Sequence, residues 1–144
     1  MNPLMNLFVG AHVRVYRLTG GSVGGTIVGQ PVVLLTTTGR KTGKARTVPL
    51  GSFEDGGDRI VVASAAGSPT HPAWFNNLTA NPEVTVQLGP RTYAARAEAI
   101  SGEERARLWK MIIAKAPVFA DYQKKATGRE IPVVRLKEAG SAKA

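Results

Sequence analysis

Apolar residues recur at helical spacing from residue 3 to residue 18 (PLMNLFVGAHVRVYRL). Leu4, Leu7, Phe8, Ala11, Val15 and Leu18 mark one face, and Met5, Val9, Val13 and Tyr16 widen it. Asn6, Gly10, Arg14 and Arg17 leave only a narrow polar strip. The pattern predicts a helix, ended by Gly20-Gly21, whose broad apolar surface must meet the protein body, a second subunit or a lipid surface. Residues 20–30 hold five glycines and read as a flexible connector.

Strand signals follow. Residues 31–37 (PVVLLTT), 46–53 and 59–65 (RIVVASA) are apolar, β-branched runs, and EDGGD at 54–58 reads as a hairpin turn. The segment 68–80 (SPTHPAWFNNLTA) opens with Ser68, Thr70 and prolines and predicts a short helix stopped by Asn81-Pro82. Val84, Val86 and Leu88 alternate with Thr85 and Gln87 as a strand, and residues 91–100 predict another after Gly89-Pro90. Ser101 and Glu104 stand at the spacing of a capping box, opening a helix to about Ala116. Pro117 interrupts it, 118–126 continue helically, and 130–136 (EIPVVRL) predict a last strand before a polar tail at 138–144. The order implies an α+β fold with a mostly antiparallel, barrel-like sheet, residues 1–144 forming a single domain.

Charge sharpens this picture. Nineteen Lys and Arg against ten Asp and Glu leave a net charge of +9 over 144 residues, and the first acid in the chain is Glu54. A field of this sign attracts anions: a polyanionic small molecule, anionic lipid or nucleic acid. Without cysteine, disulfides, thiolate metal sites and a Cys nucleophile are excluded, and with only His12 and His71 no metal-binding cluster can be assembled. The absence of a charged n-region and of a long apolar run predicts neither signal peptide nor membrane span. A cytoplasmic protein is the expectation, with peripheral membrane contact through residues 3–18 as an added possibility.

Two stretches carry the candidate chemistry. In LLTTTGRKTGKARTVPL (34–50), Arg40, Lys41, Lys44 and Arg46 fall within seven positions around Gly43. Lysine and arginine match phosphate and carboxylate oxygens, Thr42 and Thr47 add hydroxyls, and glycines let backbone N–H groups approach a ligand. The order GRKTG is not that of a P-loop, and an anion cradle competes with a merely solvated basic hairpin. In SAAGSPTHPAWFNNL (64–78), small residues run into a helix start, followed by Trp74, Phe75, Asn76 and Asn77. No hydrolytic triad or paired-carboxylate site can be built, so the chain reads as a scaffold for a cofactor that brings its own chemistry.

These two stretches, with VVASAAGSPTHPAWFNNLTANPEVTVQL and the closing DYQ…REIPVV, resemble the deazaflavin (coenzyme F420)-dependent nitroreductase family of actinobacteria. The resemblance runs from about Val32 to Val134. It implies a split β-barrel, similar to FMN-binding barrels, and hydride transfer from reduced F420 to an electron-poor acceptor. F420 carries a phosphate and an oligoglutamate tail. By resemblance, Arg40, Lys41, Thr42 and Arg46 clamp that polyanion, and Thr47, Val48, Pro49, Leu50 and Gly51 line the same groove. Val62, Ala63, Ser64 and Ala65 would meet the deazaflavin ring, while Ala73, Trp74, Phe75, Asn76 and Asn77 close the site. Phe119 and Tyr122 match positions on the substrate side, and Tyr122, Ser64 or water would supply the proton. Where nitroimidazole-reducing members carry several tyrosines, this chain has Ala116, Phe119 and Tyr122, which favours unsaturated lactones, quinones or similar conjugated carbonyls. The alternatives are an FMN-dependent split-barrel oxidoreductase and a non-catalytic binder of F420, lipid or nucleic acid. A homodimer is compatible with the helical apolar face.

Overall fold

In a computed structural model, the chain is described over residues 3–22, 25–27 and 29–139, with side chains from residue 7 onward. Most of the expected polar tail lies outside the described residues. Helix α1 (Pro3–Thr19) leads into eight strands: β1 (Thr26–Ile27), β2 (Gln30–Thr38), β3 (Ala45–Gly51), β4 (Phe53–Asp55), β5 (Asp58–Val62), β6 (Glu83–Leu88), β7 (Arg91–Ile100) and β8 (Val133–Glu138). Helix α2 (Ala73–Ala80) is inserted between β5 and β6, and α3 (Gly102–Lys115) and α4 (Val118–Lys125) between β7 and β8.

Every strand pairing is antiparallel, in the order β1-β2-β6-β7-β8-β5-β4, with β3 also on β2. Only Ser52 separates β3 from β4, so one nearly continuous stretch pairs with β2 at its start and with β5 at its end. The two ends of the sheet are thereby joined through the chain, and the sheet curls into the split β-barrel expected. Ser52 makes the joint. Its N–H and hydroxyl both donate to the Pro31 carbonyl (2.7 and 2.9 Å), and its oxygen accepts from Nη2 and Nε of buried Arg59 (2.7 and 3.1 Å).

Strand alternation sorts the side chains. Val33, Leu35, Val61, Ala63, Val86, Ala95, Val134 and Leu136 fill the barrel, capped by Trp74 and Leu78 of α2. On the opposite face of β5 and β8, Phe53, Ile60, Val62 and Val133 pack under Leu108, Ile112, Ala116 and Phe119 of the α3–α4 region. Helix α1 lays Val13 and Tyr16 on Val32 and Leu34. The Tyr16 hydroxyl donates to the Val32 carbonyl (2.8 Å) and accepts from the Gly89 N–H (2.6 Å), fastening α1 to the β6–β7 turn.

Four local expectations change. The connector at 20–30 contains β1, a short partner for the start of β2. The strand expected to reach residue 65 stops at Val62, because Ala65 and Ala66 take left-handed φ angles of 45° and 51°. The helix expected over 68–80 begins only at Ala73: Pro72 is extended (φ −65°, ψ 151°), and neither Ser68 nor Thr70 caps it. The Ser101–Glu104 capping box does not form. Gly102 enters α3 at φ +65°, and the Ser101 side chain makes no cap bond.

Candidate active site

The β2–β3 turn folds on its own backbone. Gly39 N–H donates to the Lys44 carbonyl (2.7 Å), Gly43 N–H to the Gly39 carbonyl (2.8 Å), and Lys44 N–H to Thr42 Oγ1 (3.2 Å). A Cβ on Gly39 would lie 2.8 Å from Thr42 Oγ1 and 3.2 Å from the Lys44 carbonyl oxygen, so a larger residue would have to shift the Thr42 side chain. Gly43 takes φ +70° at the tip. Arg40, Lys41, Lys44 and Arg46 are all exposed, and no carboxylate among the described residues pairs with any of them.

Helix α2 holds this turn in place. The buried Asn77 Oδ1 accepts from the Arg40 N–H (3.1 Å), and its Nδ2 donates to Thr37 Oγ1 (3.1 Å). Between turn and helix lies an open groove of about 500 Å³, lined by Gly39, Arg40, Lys41, Thr42 and Arg46 on one side and by Ala73, Trp74 and Asn77 on the other. The structure thus brings together Arg40, Lys41, Thr42, Arg46, Ala73, Trp74 and Asn77 of the expected set.

The others stand elsewhere. Register pairs Thr37 with Arg46 and Thr36 with Thr47, so Arg46 and Thr47 face opposite sides of β3. Thr47 turns toward α1, bonding Thr36 Oγ1 (2.7 Å) and accepting from Arg17 Nη2 (3.4 Å), and by alternation Pro49 shares that side. Val48 and Leu50 pack on the barrel interior, and Gly51 ends the strand. Val62 lies in the core under α3 and α4, and Ala63 inside the barrel. Phe75 meets His71 at 4.8 Å with the rings tilted, and Asn76 is half-buried beside it on α2. Ala116 and Phe119 face the α3–α4 core, Phe119 meeting Phe53 edge-on at 6.0 Å, and neither lines the groove. Tyr122 is half-buried against Phe119 (5.8 Å).

Ser64 and Ala65 sit in a tight turn at the end of β5. Ser64 is buried and right-handed (φ −76°, ψ −34°), and Ala65, Ala66 and Gly67 follow in left-handed conformations. Arg129 grips this turn: Nη1 donates to the Ala63 carbonyl (3.1 Å), Nη2 to Ser64 (2.7 Å) and Nε to Ser68 (2.9 Å). Nη1 also meets His71 Nδ1 at 3.0 Å. Burial, then the adjacent Arg129 charge, pushes the His71 pKa below its ordinary value. Sequence reasoning passed over Arg129 as the residue before a strand. The signal available was its REIPVV context, one of the stretches behind the family resemblance.

A model of the F420H(2)-dependent quinone reductase family matches residues 8–138. An F420H(2)-dependent quinone reductase of Mycobacterium tuberculosis (H37Rv) is 40% identical over 129 residues, spanning 87% of this chain and 86% of that protein. Among solved structures, one of an F420-H2 dependent reductase is 45% identical with a TM-score of 0.68, covering 74% of this chain and 94% of the other. Another, described as a domain-swapped dimer, is 39% identical with a TM-score of 0.70, covering 94% of this chain and 100% of the other.

Proposed function

The chain belongs to the F420H(2)-dependent quinone reductase family, and from that premise we propose that it uses reduced F420 to reduce a quinone-type or similarly conjugated carbonyl acceptor. One observation carries the cofactor assignment. The unpaired cations of the β2–β3 turn border an open groove, and Asn77 fixes that turn against α2. A phosphate followed by an acidic tail fits such a border. Arg40 and Arg46 offer planar forks, Lys41 a point charge, and no ion pair with a carboxylate among the described residues has to break before they bind an anion.

When bound, F420 supplies hydride chemistry; the protein supplies position and charge. In this reading Arg40, Lys41 and Arg46 hold the anionic end, and Trp74 closes the barrel mouth beneath it. Ser64 and Tyr122 remain the proposed proton donors to the reduced acceptor. Ser64 lies in the strained turn at the end of β5, whereas the Tyr122 ring packs edge-on against Phe119.

Fluorescence titration with F420, a tailless deazaflavin and FMN, at low and high salt, tests the assignment. The expected result is F420 binding that weakens steeply with salt, and Lys41→Ala or Arg46→Ala losses of about tenfold for F420 but much less for the tailless ligand. Equal losses for both ligands, or a preference for FMN, would overturn it. Turnover with quinones, unsaturated lactones and nitroaromatics then ranks acceptor classes.

We also propose that α1 mediates homodimerisation. Leu7, Phe8, Val15 and Leu18 form an exposed apolar stripe, and a 39% identical structure is described as a domain-swapped dimer. Leu7→Glu with Leu18→Glu should convert a dimer to a monomer by light scattering. A wild-type monomer that binds anionic vesicles through the same stripe would replace the second copy with a lipid surface.

A further inference from the structure

We propose that Arg129 is a positioning residue: it holds and polarises the 63–68 turn so that the Ser64 and Ala65 N–H groups act as a paired donor for an electron-rich ligand edge. The inference rests on the F420 reading for the identity of that ligand, a deazaflavin ring.

The geometry begins with the backbone. A right-handed residue followed by a left-handed one makes successive N–H groups converge, and Ser64–Ala65 is such a pair. The N–H groups of Ser64, Ala65 and Ala66 donate to no described group, whereas their neighbours Ala63, Gly67 and Ser68 donate to Pro132, Ser64 and Ala65 carbonyls. From buried Ser64 through half-buried Ala65 to exposed Ala66, these donors run outward to where a ligand can reach them.

Two alanines in left-handed conformation are unfavourable unless the surroundings enforce them. Enforcement comes from both sides. Helix α4 presses on the turn so closely that a Cβ on Gly67 would meet Tyr122 O and Lys125 Cβ at 2.9 Å. From another direction, Arg129 takes the carbonyls of Ala63, Ser64 and Ser68 in one guanidinium fork. No carboxylate among the described residues pairs with Arg129, so its charge is spent on these carbonyls and on the neutral His71 acceptor.

The peptides here are trans, so each N–H points opposite to the carbonyl of its own peptide unit. Because the Ala63 and Ser64 carbonyls point at Arg129, the Ser64 and Ala65 N–H groups point away from it. A cation at the carbonyl end of a peptide dipole strengthens the donor at its far end. Arg129 therefore fixes the direction of the two donors and raises their strength together, without touching the ligand.

The test compares Arg129→Gln and Arg129→Lys with wild type in the full chain. Amide hydrogen exchange without cofactor reports the turn, and titration with F420 and tailless deazaflavin reports the donors. Arg129→Gln should speed exchange at 64–68 by tenfold or more and leave the barrel strands protected. It should weaken both deazaflavins by the same factor, about tenfold, with the salt dependence of F420 binding unchanged. Arg129→Lys, which keeps charge but loses the fork, should fall between. Wild-type affinity in either folded variant, or a loss confined to F420 with an altered salt dependence, would overturn the proposal. Failure of wild type to bind any deazaflavin would instead remove the F420 reading, and exchange at 64–68 would still decide whether Arg129 holds the turn.

Discussion

Asn77 shows how much one side chain contributes to the site. Sequence reading places it among the residues that close the site; the structure shows both ends of its amide engaged with the protein, on Arg40 N–H and Thr37 Oγ1. Its role is to bind the basic turn to α2. Asn77→Ala should cost about 1–3 kcal/mol, because buried groups lose their partners. It should also weaken F420 binding, since the turn is freed from the far wall of the groove. Asn77→Asp keeps the acceptor for Arg40 but removes the donor to Thr37 and adds a negative charge beside the cations. Denaturant unfolding and F420 titration check both: stability near wild type with reduced affinity in the Asp variant would separate electrostatics from folding. Unchanged affinity in the Ala variant would show that the turn holds its shape alone.

At the scale of elements, periodicity made β2, β3, β5, β6, β7 and the helices legible, since alternation and helical spacing are local properties. A barrel-like sheet was legible too, but the joint that closes it was not. That β3 and β4 lie at opposite ends of the sheet order, joined by Ser52, depends on partners 21 and 7 residues away, Pro31 and Arg59. The misread signals are instructive in the same way. Ser-x-x-Glu has capping-box spacing, but a left-handed Gly102 changes the entry to α3. Small residues at 63–65 looked like strand, yet Ala65 and Ala66 are left-handed in a turn whose Ala63 and Ser64 carbonyls accept from Arg129, 64 positions away from Ala65. Cationic residues of the site were legible because charge and glycine cluster locally; its clamp was not, because it arrives from the far end of the chain. The Ser52 joint can be tested directly. Ser52→Ala leaves the buried Arg59 guanidinium without its hydroxyl acceptor and should destabilise the protein by roughly 2–3 kcal/mol. A loss under about 0.5 kcal/mol in urea unfolding would show that the backbone bond from Ser52 to Pro31 suffices.

Across the whole molecule, the +9 charge is unevenly compensated. At the groove the cations have no carboxylate partner among the described residues. On the α3 side, Arg135 bonds Asp55 (2.7 Å) and Asp58 (3.2 Å), and Arg107 grips Asp55 with both nitrogens at 3.0 Å. Hydrogen bonds from Arg107 and then Arg135 hold the Asp55 carboxyl far below its ordinary value of 3.8. A depressed carboxylate stabilises the fold above its unfolded pKa and loses that contribution as pH falls toward the folded one. His71 is depressed for a different reason, burial first and Arg129 second, from an ordinary 6.5. For a histidine kept neutral by folding, the unfolded chain binds the extra proton, so stability is complete above about 6.5 and declines as pH drops. Thermal unfolding should therefore show two acid-side losses: a small one beginning below 6.5 and a larger one beginning below 3.8, where lost carboxylates leave the cations to repel one another. His71→Gln should remove the first loss and keep the second. Asp55→Asn should lower the melting temperature already at neutral pH and flatten the second. A single acid transition unaltered by His71→Gln would mean that neither burial nor the adjacent Arg129 charge holds the imidazole neutral in the fold.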